Sequence, residues 1–441
     1  MAEIRKKSKQ TKLVRFAQLK YMDIGLFTAM VILVGIGIFA IYSASIYTAF
    51  YEGSSPLKYL VIQTLGLGLG LLAYFTLAVI PYKKYLNIKL IGIGLGLSIA
   101  TLIYVLTTDP ILGASRWIDL GPVNFQPSEL TKIVFVLFIS YWFVRYETVC
   151  YDDGMKLITL VKSSFVALFN PTARKKVKRI AQDKRLWKRV ATFWGIPLAI
   201  MLTIMVLLKL EPDNGSMIII FALFCAIFTI IFLRSRKMRL ILAGLVVAGG
   251  LVILNKDLIA QLIIENSGSD HIVTRFNAWL DPFEDYQGDG YQLANSYIAI
   301  AKGGVTGAGI GNGTQKQGFL PEGHTDFILA NIAEETGLVG IGAVFALFYF
   351  ILYRAFKIAQ KVEDKQAKLI IFGLIVLFFI QMFWNASGIS GLLPMKGLAV
   401  PFLGYGGTSI VFMVSTLGII QSIATNTNYR EAKRIEEINH E

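Results

Sequence analysis

The chain is short of charge. Only 16% of its 441 residues are Asp, Glu, Lys or Arg, 55% are hydrophobic and the mean hydropathy is +0.59. That balance lies outside the range of soluble domains and leaves a polytopic membrane protein. Cysteine is nearly missing: Cys150 and Cys225 fall near or inside apolar helical stretches, so no disulfide framework is implied. The basic first twenty residues lack a small-residue cleavage site, and the apolar run after them is too long for a signal-peptide core. It reads as a retained first span. The glycine-dense run GAGIGNGT at 307–314 lacks the GxxxxGK pattern and is rejected as a nucleotide loop. No cluster of ligand residues demands a metal.

What is present is a series of about ten apolar stretches, at 24–46, 58–80, 88–107, 129–146, 191–210, 216–233, 239–254, 326–353, 367–387 and 401–424. Each is close to the roughly 20 residues that a helix needs to cross about 30 Å of hydrocarbon. The expected fold is an all-α bundle of about ten transmembrane helices. Alternating sides from the N-terminus gathers about four-fifths of the 43 Lys and Arg residues on one face. By the positive-inside rule that face is cytoplasmic, with both termini on it. The surplus of +14 is then mainly a topology signal; the cluster ARKKVKRIAQDKRLWKRV suits anionic headgroups, and nucleic acid is set aside.

The resulting organisation has a basic tail at 1–23, one membrane domain at 24–424 and a cytoplasmic tail at 425–441. A basic cytoplasmic loop occupies 147–190, and a large extracellular loop, 255–325, joins spans seven and eight. Loops longer than about 15 residues are more often functional than idle. Parts of 255–325 are expected to form short helices at the membrane surface. Gly66 with Gly70, and Gly92 with Gly96, are small-xxx-small pairs expected to let helices approach closely.

Three outward stretches carry the ionisable groups. In FLPEGHTDFILANIAEETGLVG, Asp326 stands beside His324 and Thr325 at a helix mouth, and the stretch runs unbroken into the span. Glu334 and Glu335 fall about 12 Å deeper at 1.5 Å per residue. Carboxylates there must pair, protonate or meet water. Cross-linking of neighbouring helices is one reading of the two, coupling-ion chemistry another. In GASRWIDLGPVNFQPSELTK, Pro127 and Ser128 start a helix, Glu129 complements its dipole, and Lys132 can pair with Glu129 one turn on. Arg116 before it suits a phosphate or an interfacial anchor. In GISGLLPMKGLAVPFLGYGGTSI, glycine and proline break the helix between the last two spans, and Lys396 is a cation with few acidic neighbours. One potential base and two or three cations thus lie on the same outer wall.

These stretches, with YSAS at 42–45, EPDNGS at 211–216 and RFNAWLDPFED at 275–285, resemble the SEDS family of bacterial cell-wall proteins, the FtsW, RodA and SpoVE group, and most of all its FtsW branch. The resemblance covers nearly all the spans. It implies a multi-pass protein of the bacterial cytoplasmic membrane that polymerises lipid II, the undecaprenyl-pyrophosphate-linked disaccharide peptide, on the outer face. It further implies a class B penicillin-binding protein as partner, among other division or elongation proteins. The family's essential aspartate maps to Asp326, and its polar groups near the fourth span map to Arg116, Gln126, Glu129 and Lys132. An α-linked donor and a β-linked polymer make the reaction inverting, with one base for the acceptor 4-hydroxyl. Asp326 is the expected base. Arg116, Lys132 and Lys396 are expected to hold the departing pyrophosphate, helped by a divalent cation if one is used. Two other functions are consistent with the same residues: a flippase for the lipid-linked precursor, which would rely on Glu334 and Glu335, and a non-enzymatic division scaffold. An elongation role is the alternative to division.

Overall fold

The computed structural model describes residues 18–108, 116–121, 124–146, 182–232, 255–266, 270–321 and 323–440. Among these, eight helices are long and apolar enough to cross a membrane, and Asn214–Ile230 is a shorter apolar one. In chain order the first five spans and that shorter helix are α1 (Ile24–Tyr51), α2 (Lys58–Val79), α3 (Ile88–Val105), α4 (Pro127–Arg145), α5 (Lys184–Leu210) and α6 (Asn214–Phe232). Three shorter helices follow, α7 (Lys256–Asn266), α8 (Asp270–Leu280) and α9 (Tyr291–Gly303). The last three spans are α10 (Ile328–Lys361), α11 (Lys365–Ile389) and α12 (Gly407–His440). The stretch at 239–254, expected as a seventh span, and most of the basic loop at 147–190 lie outside the described residues.

Local chemistry sets the helix ends. Asp23 caps α1 by accepting from the Leu26 amide at 2.9 Å, and both its oxygens also take the Arg354 guanidinium at 3.1 and 2.6 Å, which ties the start of α1 to the far part of α10. Pro127 occupies the first turn of α4, where its missing N–H leaves nothing unsatisfied. That helix is the centre of the bundle, packed by α3, α6 and α11. Peripheral helices turn Leu65, Leu69, Ile93, Leu97 and Phe379 outward, as a lipid-facing surface requires.

The glycine pairs divide. Gly66 and Gly70 sit against α12: a Cβ at Gly66 would lie 2.5 Å from the Gly407 carbonyl oxygen, and one at Gly70 3.1 Å from the Val414 side chain. Gly418 returns the favour, with Tyr74 Cα 2.7 Å from its missing Cβ. That seam is the expected close approach. Gly92 and Gly96 meet nothing within 4 Å, so the expectation fails for them. The face that α3 buries is Ile91, Ser98, Leu102 and Val105, a different stripe of the same helix.

Two further differences concern helix continuity. The last span begins at Gly407 rather than 401, because the segment from Ser390 carries Pro394, Pro401 and glycines, with Phe402 at φ 69°. The eighth stretch is not unbroken either: α10 breaks at Gly337, whose φ of 66° and ψ of −166° are open only to glycine.

Candidate active site

Residues of the connections within 116–121, 211–215, 270–321, 323–327 and 390–406 meet at one end of the bundle. Among them lies a polar cavity of about 350 Å³, lined by Arg116, Asp213, Arg275, Asp289, Asp326 and Lys396, with Trp279, Phe327 and Met395 as its apolar part. The groups come from four separate connections, so the cavity exists only when the whole end is folded.

Buried amides assemble it. Asn385 of α11 donates to the Asp326 carbonyl at 2.7 Å and to the Leu398 carbonyl at 2.9 Å, binding the two segments that carry Asp326 and Lys396. Gln63 of α2 grips the Gly404 carbonyl and the Gly406 amide, at 3.4 and 3.2 Å. The Trp279 indole of α8 donates to the Gly391 carbonyl at 2.9 Å. Irregular backbone at membrane depth survives only when such partners replace water. Gly397 packs directly on the Asp326 carboxylate, where a Cβ would come 2.9 Å from Oδ2.

Three cations share this space with the three aspartates. Arg116 spans the cavity wall and the turn between α5 and α6, donating to the Pro212 carbonyl at 2.7 Å and the Glu211 carbonyl at 3.3 Å. Half-buried Lys396 is held below the ordinary lysine range, first by burial and then by Arg275, Lys209 and Arg116; Asp213 works the other way. Cations that depress one another favour an anionic ligand. Beside them Glu211 is 1% exposed, and burial with the neighbouring Asp213 pushes its carboxyl up to about 8 against the pull of Arg116.

Of the residues expected from sequence, Asp326, Arg116 and Lys396 line the cavity. Glu129 and Lys132 are brought together, Nζ to Oε1 at 2.6 Å, but as a buried pair inside α4 that is not part of the lining. The Gln126 amide donates to Thr408 Oγ1 at 3.3 Å, joining α4 to the start of α12. His324 is 6% exposed and wedged between the rings of Tyr59 and Tyr405, at 4.7 and 5.6 Å, with its carbonyl accepting from the Tyr405 amide at 2.8 Å; Thr325 is half-buried next to it. These residues shape the segment that presents Asp326. Arg275, Asp213, Asp289 and Glu211 were not anticipated as site residues. The signal for the α5–α6 turn was the acidic pair in EPDNGS between two apolar runs, and for Arg275 an isolated cation in a loop that leans acidic.

Glu334 and Glu335 have a separate task. Glu334 accepts from the Thr314 amide and hydroxyl, both at 2.9 Å, and from the Gln315 amide at 3.0 Å. Glu335 accepts from Lys316 at 2.6 Å, Ser43 of α1 at 2.7 Å and the Gly311 amide at 3.1 Å. The backbone freed at the Gly337 break is met by the same loop: Ala308 and Gly309 donate to the Glu334 and Glu335 carbonyls, and Leu338 donates to Gly304. The run GAGIGNGT is therefore a clamp on a broken helix. Its glycines are needed because a Cβ on Gly307 would collide with the Glu335 carbonyl.

A second cavity, apolar and about 570 Å³, lies between α9, α10 and α11, lined by Ile300, Leu329, Leu338, Phe345 and Phe383 among others. It reaches Leu329, three residues from Asp326. Among the described residues no three His, Cys, Asp or Glu side chains gather as a metal-binding group.

These features define an all-helical, multi-pass membrane protein with a charged cavity at one end and an apolar groove beside it. The chain belongs to the cell cycle protein family of FtsW, RodA and SpoVE, whose pattern it matches over residues 24–429, and it is a protein of the cytoplasmic membrane. It is 32% identical over 426 residues to the probable peptidoglycan glycosyltransferase FtsW of Bacillus subtilis strain 168, covering 95% of this chain and 94% of that one. Identity to the protein of the same name from Neisseria gonorrhoeae strain NCCP11945 is 33% over 412 residues, with 91% and 84% covered. Among solved structures, a chain from a peptidoglycan synthase complex that coordinates polymerization and crosslinking superposes with a TM-score of 0.64 at 24% identity, covering 92% of this chain and 98% of that one. Thermus thermophilus RodA gives 0.56 at 22% identity, with 91% and 96% covered. At those identities the structural likeness speaks for the fold.

Proposed function

We propose that this chain is a peptidoglycan glycosyltransferase that polymerises lipid II on the outer face of the cytoplasmic membrane during cell division. The observation that carries the reading is the shared cavity, where the Asp326 carboxylate meets Arg116, Arg275 and Lys396 alongside Asp213 and Asp289. The names of the FtsW relatives support the activity. In the proposed reaction the acceptor 4-hydroxyl attacks the anomeric carbon of the donor, and its proton passes to the Asp326 carboxylate as the new glycosidic bond forms. The anomeric carbon–oxygen bond to the diphosphate breaks on the opposite face, so the configuration inverts. The lipid diphosphate leaves with the electron pair and is held by the three cations. The apolar groove between α9, α10 and α11 suits the prenyl chain of a substrate whose head group lies at Asp326. A class B penicillin-binding protein is the proposed partner, in keeping with a structural relative from a complex that couples polymerization to crosslinking.

The flippase alternative needed Glu334 and Glu335 for coupling, and both are engaged in the loop clamp. Purified protein with its penicillin-binding partner and labelled lipid II is expected to yield glycan strands on a gel. Asp326→Asn is expected to abolish them while leaving complex formation intact. Normal polymerisation by Asp326→Asn would remove the base assignment. Translocation of lipid II across vesicles by a wild-type complex that makes no polymer would replace the enzyme by a flippase.

A further inference from the structure

The titratable groups that line the polar cavity cancel. Arg116, Arg275 and Lys396 supply three positive charges, and Asp213, Asp289 and Asp326 supply three negative ones. A prenyl-linked sugar diphosphate brings two negative charges that this lining leaves uncompensated. Burying such charge without a counter-ion is costly.

Asp213 marks where a counter-ion would sit. It is 5% exposed, and its Oδ1 caps α6 by accepting from the Ser216 amide at 3.0 Å. Its Oδ2 is buried with no hydrogen-bond donor among the described residues, although the residue lines the cavity. A buried acceptor left unsatisfied costs about 1–3 kcal/mol, and more when charged. Neighbouring Glu211 has an unpartnered oxygen too, its Oε1. Capping α6 explains one oxygen of Asp213 and leaves the other unexplained. A hydrogen-bond donor of a sugar would satisfy that oxygen too, but it would leave the diphosphate charge unbalanced.

We propose that Asp213 is a ligand for a divalent cation that enters with the diphosphate of the lipid-linked donor, so that the cavity binds a metal–diphosphate pair and not the bare anion. The inference rests on the reading that the substrate is a prenyl diphosphate. A small hard cation such as Mg²⁺ is ordinarily held by one or two carboxylates plus phosphate oxygens and retained waters, not by a full protein cage. Asp213 is the protein carboxylate this proposal gives to such an ion. The roles then divide: Asp213 positions the ion, the ion and the three cations hold the diphosphate, and Asp326 stays available to the acceptor hydroxyl.

The test is titration of Mn²⁺ into the purified full-length protein, with and without farnesyl diphosphate as a soluble prenyl diphosphate, read by water-proton relaxation. Slow tumbling of the protein-bound ion separates its signal from that of Mn²⁺ on farnesyl diphosphate in free solution. Tight uptake is expected only when the diphosphate is present. Asp213→Asn, which preserves the helix cap, is expected to weaken it by roughly 10-fold or more while the melting temperature stays put. Asp213→Glu is expected to recover part of it. Equal uptake by wild type and Asp213→Asn would overturn the assignment, as would farnesyl diphosphate binding that is unchanged by removing all divalent ions with chelator. Farnesyl diphosphate that fails to bind under any condition would instead remove the donor-site reading, and this inference with it.

Discussion

The clamp around Glu335 gives a prediction whose size follows from the geometry. Lys316 Nζ lies 2.6 Å from Glu335 Oε1, and the two side chains are 5% and 9% exposed. Replacing Lys316 by Met keeps most of the stem and removes the charge. Breaking a buried pair from one side costs about 3–5 kcal/mol, because the survivor is left charged and poorly solvated. Glu335 retains Ser43 and the Gly311 amide as donors, which places the loss near the lower end, about 3 kcal/mol. For a chain of this size each kcal/mol corresponds to roughly 2 °C or less in melting temperature, so the single variant is expected to melt up to about 6 °C lower in detergent. Glu335→Gln is expected to lose a similar amount by stranding Lys316. The double variant Lys316→Met/Glu335→Gln carries neither charge and is expected to recover at least half of the summed loss, a coupling of about 2 kcal/mol or more. Simple additivity of the two single losses in this cycle would show that the contact does not hold the loop, and would refute the account of the clamp.

Two further outcomes are expected from the charged end. Glu211 binds its proton up to about pH 8 in the folded protein, against an ordinary value of 4.5, so the folded state holds more protons than the unfolded one throughout that window. The part of the stability that Glu211 controls is therefore expected to be full at and below pH 4.5 and to fall by about 1.4 kcal/mol per pH unit at most as pH rises toward 8; Glu211→Gln is expected to flatten this slope in melting curves, and an unchanged slope would contradict the assignment. Lys396 loses its proton earlier than an ordinary lysine. Affinity for a prenyl diphosphate, measured in a Glu211→Gln background, is accordingly expected to decline at high pH sooner in wild type than in Lys396→Arg, whose guanidinium stays charged. Identical declines would place Lys396 outside the anion site.

The class of fold was legible because hydrophobic run length is a property of the chain alone: every expected stretch within the described residues contains an apolar helix. Whether a glycine pair packs was not legible, since Gly92 and Gly96 have the same spacing as Gly66 and Gly70 and differ only in which stripe of the helix a neighbour covers. The break in α10 was hidden for a related reason. Gly337 stands in a run that is apolar on both sides, and the groups that satisfy its opened backbone come from about thirty residues upstream. Asp326, Arg116 and Lys396 were recognisable as charges placed where apolar residues were expected. Arg275 and Asp213 join them only through folding, because one sits on a short helix of the long loop and the other in a tight turn between two spans.

The structure also explains why so many ionisable groups accompany one stretch of α10. The nine residues after Asp326 must do two things at once: present a carboxylate at a cavity mouth and end a half-helix that has no continuous partner below it. Asn385 fixes the mouth by holding the Asp326 carbonyl, and Asn331 ties the Gly323 carbonyl back to the half-helix at 2.7 Å. Glu334 and Glu335 fix the lower end through the loop that follows α9. A half-helix anchored at both ends holds Asp326 at a set distance from cations on α8 and on the 390–406 segment, whereas an unbroken helix anchored at neither would let that distance follow the tilt of α10. Charge at the lower end thus serves position at the upper end. Loosening the clamp should therefore disturb the Asp326 cavity even though no clamp residue lines it.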